Sequence, residues 1–159
     1  MGGTETPEVC ARIQALTGAA VWRLEPLGSA HRWRLYRAEL ADGRRTFVKA
    51  LADPDPTLRG VFRAEVEGLR WLASAPGAPV PEVYGADGET LVIAWVRETG
   101  PDAAAAERLG RELAALHAAG ASRFGAPWRG YIASLPLDNA PLDSEDAPQA
   151  PLPDTAPLD

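Results

Sequence analysis

The sequence predicts an α+β fold: an antiparallel sheet of about five strands carrying a helix, followed by the start of a helical region. Three observations lead there. Two Asp-Gly pairs, Asp42-Gly43 and Asp87-Gly88, each lie between runs rich in aromatic and β-branched residues, the strongest short-range signal for a hairpin. Between the two hairpins, residues 57–74 repeat their apolar side chains at helical spacing. After Gly100 and Pro101 the chain turns alanine- and leucine-rich, and from Asp102 to Gly120 it carries the start and stop signals of a strong helix.

Taken in order, PEVCARIQALTG spaces Val9, Ile13 and Leu16 on one helical face and ends at Gly18, so a short helix opens the chain. A strand around residues 21–24 precedes the first hairpin. With Asp42-Gly43 as a two-residue turn, Tyr36 falls opposite Lys49 and Ala38 opposite Phe47, on one face of the sheet. The turn DPDP leads into TLRGVFRAEVEGLRWLAS, with an apolar stripe of Leu58, Val61, Phe62, Leu69 and Leu72. VPEVYGADGETLVIAWV supplies two more strands, the second nearly continuous in apolar residues from Leu91 to Val96. In the last helix Leu109, Leu113 and Leu116 share a face.

Charge and cysteine content exclude several classes of function. The net charge of −6 sits in the final stretch: six acids and no base from Asp138 to Asp159, against a balanced 16 acids and 16 bases before it. The body offers no basic stripe with interleaved aromatics, so no nucleic-acid partner is expected. No run reaches the roughly 18 apolar residues of a membrane helix, and MGGTETPEV has neither the basic nor the apolar part of a signal peptide. With Cys10 as the one cysteine, an internal disulfide is ruled out and a reducing, cytoplasmic home is expected. A lone cysteine in such a helix is read as a small apolar filler.

One residue stands out chemically. Of 16 basic residues fifteen are Arg, and the only Lys is Lys49. A compact ammonium and a planar guanidinium are not interchangeable, so this position asks for a point charge. On the following helix Glu65 lies within about 20–60° of the apolar stripe at 100° per residue, whereas Glu67 points away. A carboxylate on that side is costly without a cation. The expectation is an ion pair between Lys49 and Glu65; the alternative turns Glu65 to water beside Arg59 or Arg63.

A loop with Gly28, a hairpin, a Lys on the third strand, a Glu on the next helix, two strands, a linker and a helix together resemble the N-terminal, nucleotide-binding lobe of the protein-kinase-like fold. Within that fold the chain resembles the fructosamine (ketosamine) kinase family. The resemblance is carried by DGRRTFVKAL, FRAEVEGLRWLA followed by VPEVYG, LVIAWV, LGRELAALH, and SRFGAPWRGYIASLPLDN, and runs from about residue 8 to residue 139. It implies three parts: a kinase-like nucleotide-binding lobe over 1–96, a linker and start of the helical lobe over 97–139, and an acidic, Pro-rich disordered tail over 140–159.

The resemblance implies ATP as phosphoryl donor, Mg²⁺ as metal, and as acceptor the sugar of a small-molecule or protein-bound ketosamine, whose phosphorylation reverses glycation. Lys49 would then grip the phosphates and Glu65 orient it. Gly28 and Ser29 would cover the phosphates through backbone N–H groups, and Ala94, Trp95 and Val96 would form the hinge that meets adenine. His117 is read as a packing residue. The chain departs from the family at Ala94, where an acid is usual, at His31, Arg32 and Trp33 in the phosphate loop, and at Gly130 and Ala133, where Asn and Gly are usual. It contains no His-Gly-Asp loop, so no catalytic residue and no metal ligand is assigned, and it is expected to resemble half a kinase with apolar surface that favours self-association. A kinase of the aminoglycoside or choline type and a non-catalytic nucleotide-binding fragment stand as alternatives.

Overall fold

The structure, a computed structural model, describes residues 5–142. The acidic run that follows, most of the expected tail, lies outside the described residues. Helix α1, Glu5–Thr17, leads into three strands, β1 (Val21–Ala30), β2 (Trp33–Leu40) and β3 (Arg45–Leu51). A short 3₁₀ turn, Pro56–Leu58, precedes α2 (Val61–Ala73), and β4 (Val83–Ala86) and β5 (Thr90–Ala94) complete an antiparallel sheet in the order β1-β2-β3-β5-β4. Helix α3, Ala103–Ala119, follows, and a small separate hairpin pairs β6 (Gly130–Ile132) with β7 (Leu135–Leu137).

Both faces of the sheet are covered. Ala38, Leu40, Val48 and Val92 pack with Ile13 of α1 on one face. On the other, Trp33 and Leu91 pack with Val61, Phe62 and Val66 of α2 and with Leu58. Strand alternation explains the division, because residues two apart on a strand share a face. Lys49 therefore belongs to the α2 side, while its neighbours Val48 and Ala50 point to α1.

The first hairpin differs from expectation by one residue. Tyr36 lies opposite Val48 and Ala38 opposite Thr46, so Leu35, not Tyr36, faces Lys49. The loop is longer than two residues: Leu40 N–H donates to Arg44 C=O and Gly43 N–H to Leu40 C=O, with Gly43 at φ 87°. A three-residue loop ending in a left-handed residue is a common hairpin closure, and Gly adopts that conformation without steric cost. The slip moves Tyr36 to the α1 face, where it packs beside that core.

Helix α2 also begins later than its apolar spacing suggests. Asp55 accepts from the Thr57 N–H at 2.9 Å and hydroxyl at 2.6 Å, which makes Leu58 part of a separate turn. Val66 is buried in place of Leu69 and Leu72. The hairpin β6–β7 lies inside the span read as linker and start of the helical lobe. Three-residue strands are too short to show a period, and the turn between them, Ala133-Ser134, lacks Gly. The start of α3 matches its signal, with Asp102 accepting from Ala105 N–H at 2.6 Å. Among the described residues no helix is long and apolar enough to cross a membrane.

Candidate functional site

Lys49 extends from the middle of β3 between Leu35 of β2 and Leu91 of β5. Its Nζ donates to Glu65 Oε2 at 2.8 Å, so the expected ion pair is present. The ammonium also lies 5.1 Å from the Trp33 ring centroid and 5.8 Å from that of Phe62, and the two rings are themselves 5.1 Å apart. Aromatic faces attract a cation at this range. With one N–H committed to Glu65, two remain for another acceptor. The side chains of Lys49 and Glu65 are 22% and 35% exposed, so the pair is open to a ligand from solvent.

The expected loop with Gly28 is instead strand: β1 runs on past residue 24 to Ala30, and Gly28, at φ 119° beside a bulge between Pro26 and Gly28, pairs with Leu35. Ser29 pairs with Arg34 and Ala30 with Trp33, leaving His31, at φ 60°, and Arg32 at the tip. The tip is tethered: the Arg32 guanidinium donates to Asp55 Oδ2 at 2.7 Å, and Arg32 C=O accepts from Ala52 N–H at 2.8 Å. Hydrogen bonds from the Thr57 hydroxyl and backbone, with the Arg32 charge nearby, hold the Asp55 carboxyl below its ordinary range. Trp33 does not roof the loop, because it turns inward to 6% exposure and covers Lys49.

At the other end of the sheet the backbone is largely committed. Ala94 N–H donates to Glu82 C=O at 2.8 Å and Trp95 N–H to Arg45 C=O at 3.0 Å. Of these three N–H groups only that of Val96 has no hydrogen bond among the described residues, and Val96 is 63% exposed. His117 is exposed rather than packed, since no residue of α3 is buried.

A cavity of about 360 Å³ opens beside the ion pair. Trp33, Lys49, Ala64 and Glu65 line it from the sheet and α2, and Trp128 and Tyr131 close it from the β6–β7 side. The structure thus joins Lys49 to Glu65, while Gly28, Ser29, Ala94, Trp95 and Val96 lie outside the cavity. Trp128 and Tyr131 received no role from the sequence. Their only signal was the motif APWRGYIASLPLDN, which says nothing about what those side chains touch. Gly130 is explained by its neighbour: a Cβ there would stand 3.1 Å from the Asn139 side chain, whose Oδ1 accepts from Gly130 N–H at 2.7 Å.

The donor at the cavity suits a phosphate: an ammonium with two free N–H bonds, open to solvent. It does not suit a metal, because no group of three or more His, Cys, Asp or Glu side chains converges among the described residues.

A five-stranded antiparallel sheet, a Lys on its third strand and a paired Glu on the following helix make this the N-terminal lobe of the protein-kinase-like fold. The chain matches the fructosamine kinase family over residues 14–144 and belongs to it. A solved structure from Thermobifida fusca YX-ER1, assigned as a fructosamine-3-kinase, is 54% identical with a TM-score of 0.80, over 85% of this chain and 47% of that one. A second, from Haemophilus somnus 129PT and assigned the same way, has a TM-score of 0.69 at 20% identity, over 86% of this chain and 47% of the other, and shows the shared fold. The chain thus spans about half the length of the structures it matches. No curated protein matches it.

Proposed function

We propose that the chain contributes the ATP-binding half of a kinase acting on the sugar of ketosamines, a step that leads to removal of the sugar from a glycated amine. The observation that carries this is the 2.8 Å pair between the only Lys of the chain and Glu65 of α2. Glu65 holds the ammonium at the floor of the open site, so its two free N–H groups meet phosphate oxygens without reorganisation. Gly28 and Ser29 approach the phosphates from the end of β1, and the Arg32–Asp55 tether limits how far the turn beyond them swings. Val96 N–H is the group left for the adenine edge.

ATP supplies the phosphoryl group, and every role assigned to this chain is one of binding and orientation. No Mg²⁺ ligand and no acceptor-orienting group is assigned to residues 5–142, so no chemical step is given to this half. A cytoplasmic setting, no nucleic acid and no membrane partner belong to the same proposal. Calorimetric titration with a nonhydrolysable ATP analogue tests it: saturable binding is expected, and its absence at millimolar analogue overturns it.

A further inference from the structure

We infer that Tyr131 is a positioning residue for the Lys49–Glu65 pair: the segment 124–142 clamps α2 at its first turn and thereby sets where Glu65 stands. This rests on the nucleotide-site reading for its meaning, but its geometry is independent of it.

Helix α2 lacks a side-chain cap. Its N-cap position is Gly60, which makes no capping hydrogen bond through a side chain. The space a side chain would fill there is taken by Tyr131: a Cβ on Gly60 would lie 2.4 Å from the Tyr131 hydroxyl oxygen and 3.2 Å from the ring carbon that bears it. The ring packs on the cluster of Trp33, Leu58, Val61 and Phe62, the same cluster that supports Lys49. Glu65 is four residues beyond Val61, one helical turn along the same face, so a shift of the first turn is carried to its carboxylate.

The clamp is built as a unit. Phe124 bridges to Leu142, Ala126 N–H donates to Asn139 C=O at 2.7 Å, and Asn139 Oδ1 accepts from Gly130 N–H at 2.7 Å. Asn139 therefore closes the base of the hairpin that presents Tyr131. The Tyr131 hydroxyl has no hydrogen bond among the described residues, so packing of the residue, chiefly of its ring on the cluster, and not a hydrogen bond carries the effect.

Because Lys49 is the only lysine, ¹⁵Nζ,¹³Cε-lysine labelling gives one side-chain signal that reports the ion pair directly, with Glu65→Gln defining the signal of the broken pair. The full chain is used with Tyr131→Ala, Tyr131→Phe and Asn139→Ala, and each variant is titrated with the ATP analogue. Tyr131→Ala and Asn139→Ala are expected to move the Lys49 signal toward that of Glu65→Gln and to weaken analogue binding about tenfold, whereas Tyr131→Phe keeps both near wild type. If Tyr131→Ala does not fold, Asn139→Ala decides, since its side chain lies outside the cavity around the pair. A Lys49 signal unchanged in the folded alanine variants overturns the inference. Failure of the wild type to bind the analogue would instead count against the nucleotide reading, and the Lys49 signal would still decide the role of Tyr131.

Discussion

Removing the carboxylate opposite Lys49 should cost stability by an amount that the geometry bounds. At a separation near 4 Å two unit charges interact by about 1 kcal/mol in water and about 4 kcal/mol at the effective dielectric near a protein surface. The side chains here are 22% and 35% exposed, and holding two flexible side chains in one geometry costs entropy, so the net coupling falls to about 1–2 kcal/mol. Glu65→Gln also leaves the ammonium half-buried against Trp33 and Phe62 without its partner. For a domain of this size the expected drop in Tm is roughly 3–6 °C. The assay is a double-mutant cycle of Glu65→Gln, Lys49→Met and the pair, followed by thermal and urea unfolding. A coupling of about 1–2 kcal/mol is expected, and one below about 0.3 kcal/mol would refute the ion pair as an energetic contact.

Three further outcomes follow from particular residues. Ala133 stands at φ 52° in the β6–β7 turn, a conformation that costs a residue with a Cβ, so Ala133→Gly should raise stability by about 0.5–1 kcal/mol in urea unfolding. The Asp55 carboxyl titrates below its ordinary value in the folded chain; the stability it lends is present above the unfolded pKa of about 3.9 and is lost as pH falls through the lower, folded value. NMR titration of Asp55 should therefore show a midpoint below that of Asp55 in Arg32→Ala and Thr57→Ala variants. Leu109 and Leu113 of α3 are 48% and 39% exposed, so light scattering should show self-association rising with concentration and weakened by Leu109→Lys with Leu113→Glu.

The Lys49–Glu65 pair was legible in the sequence because it depends on local rules. A lone Lys among Arg residues, and a carboxylate on the apolar side of an amphipathic helix, predict a pair whatever the details of the turn between them. The pair survives a wrong register because a strand's odd and even residues keep their faces: Lys49 and Phe47 stay together even when the partner strand slips by one. What slipped was the partner, since Asp-Gly does not say whether two or three residues close the loop, and Tyr36 therefore went to the wrong side. The start of α2 was hidden for a similar reason: Asp55 and Thr57 satisfy each other locally and interrupt an apolar spacing that reads as continuous. Tyr131 was not legible at all, because its contact with Gly60 joins residues 71 positions apart and depends on a hairpin with no periodic signal.

The most direct test of the central claim is calorimetric titration of the purified chain and of Lys49→Arg with a nonhydrolysable ATP analogue and Mg²⁺. The account predicts saturable binding by the wild type and loss of most of it in Lys49→Arg, because a guanidinium cannot hold Glu65 and phosphate oxygens in the space an ammonium fills. Equal binding by both proteins would contradict the role given to Lys49, and no binding by either would contradict a nucleotide site in this chain.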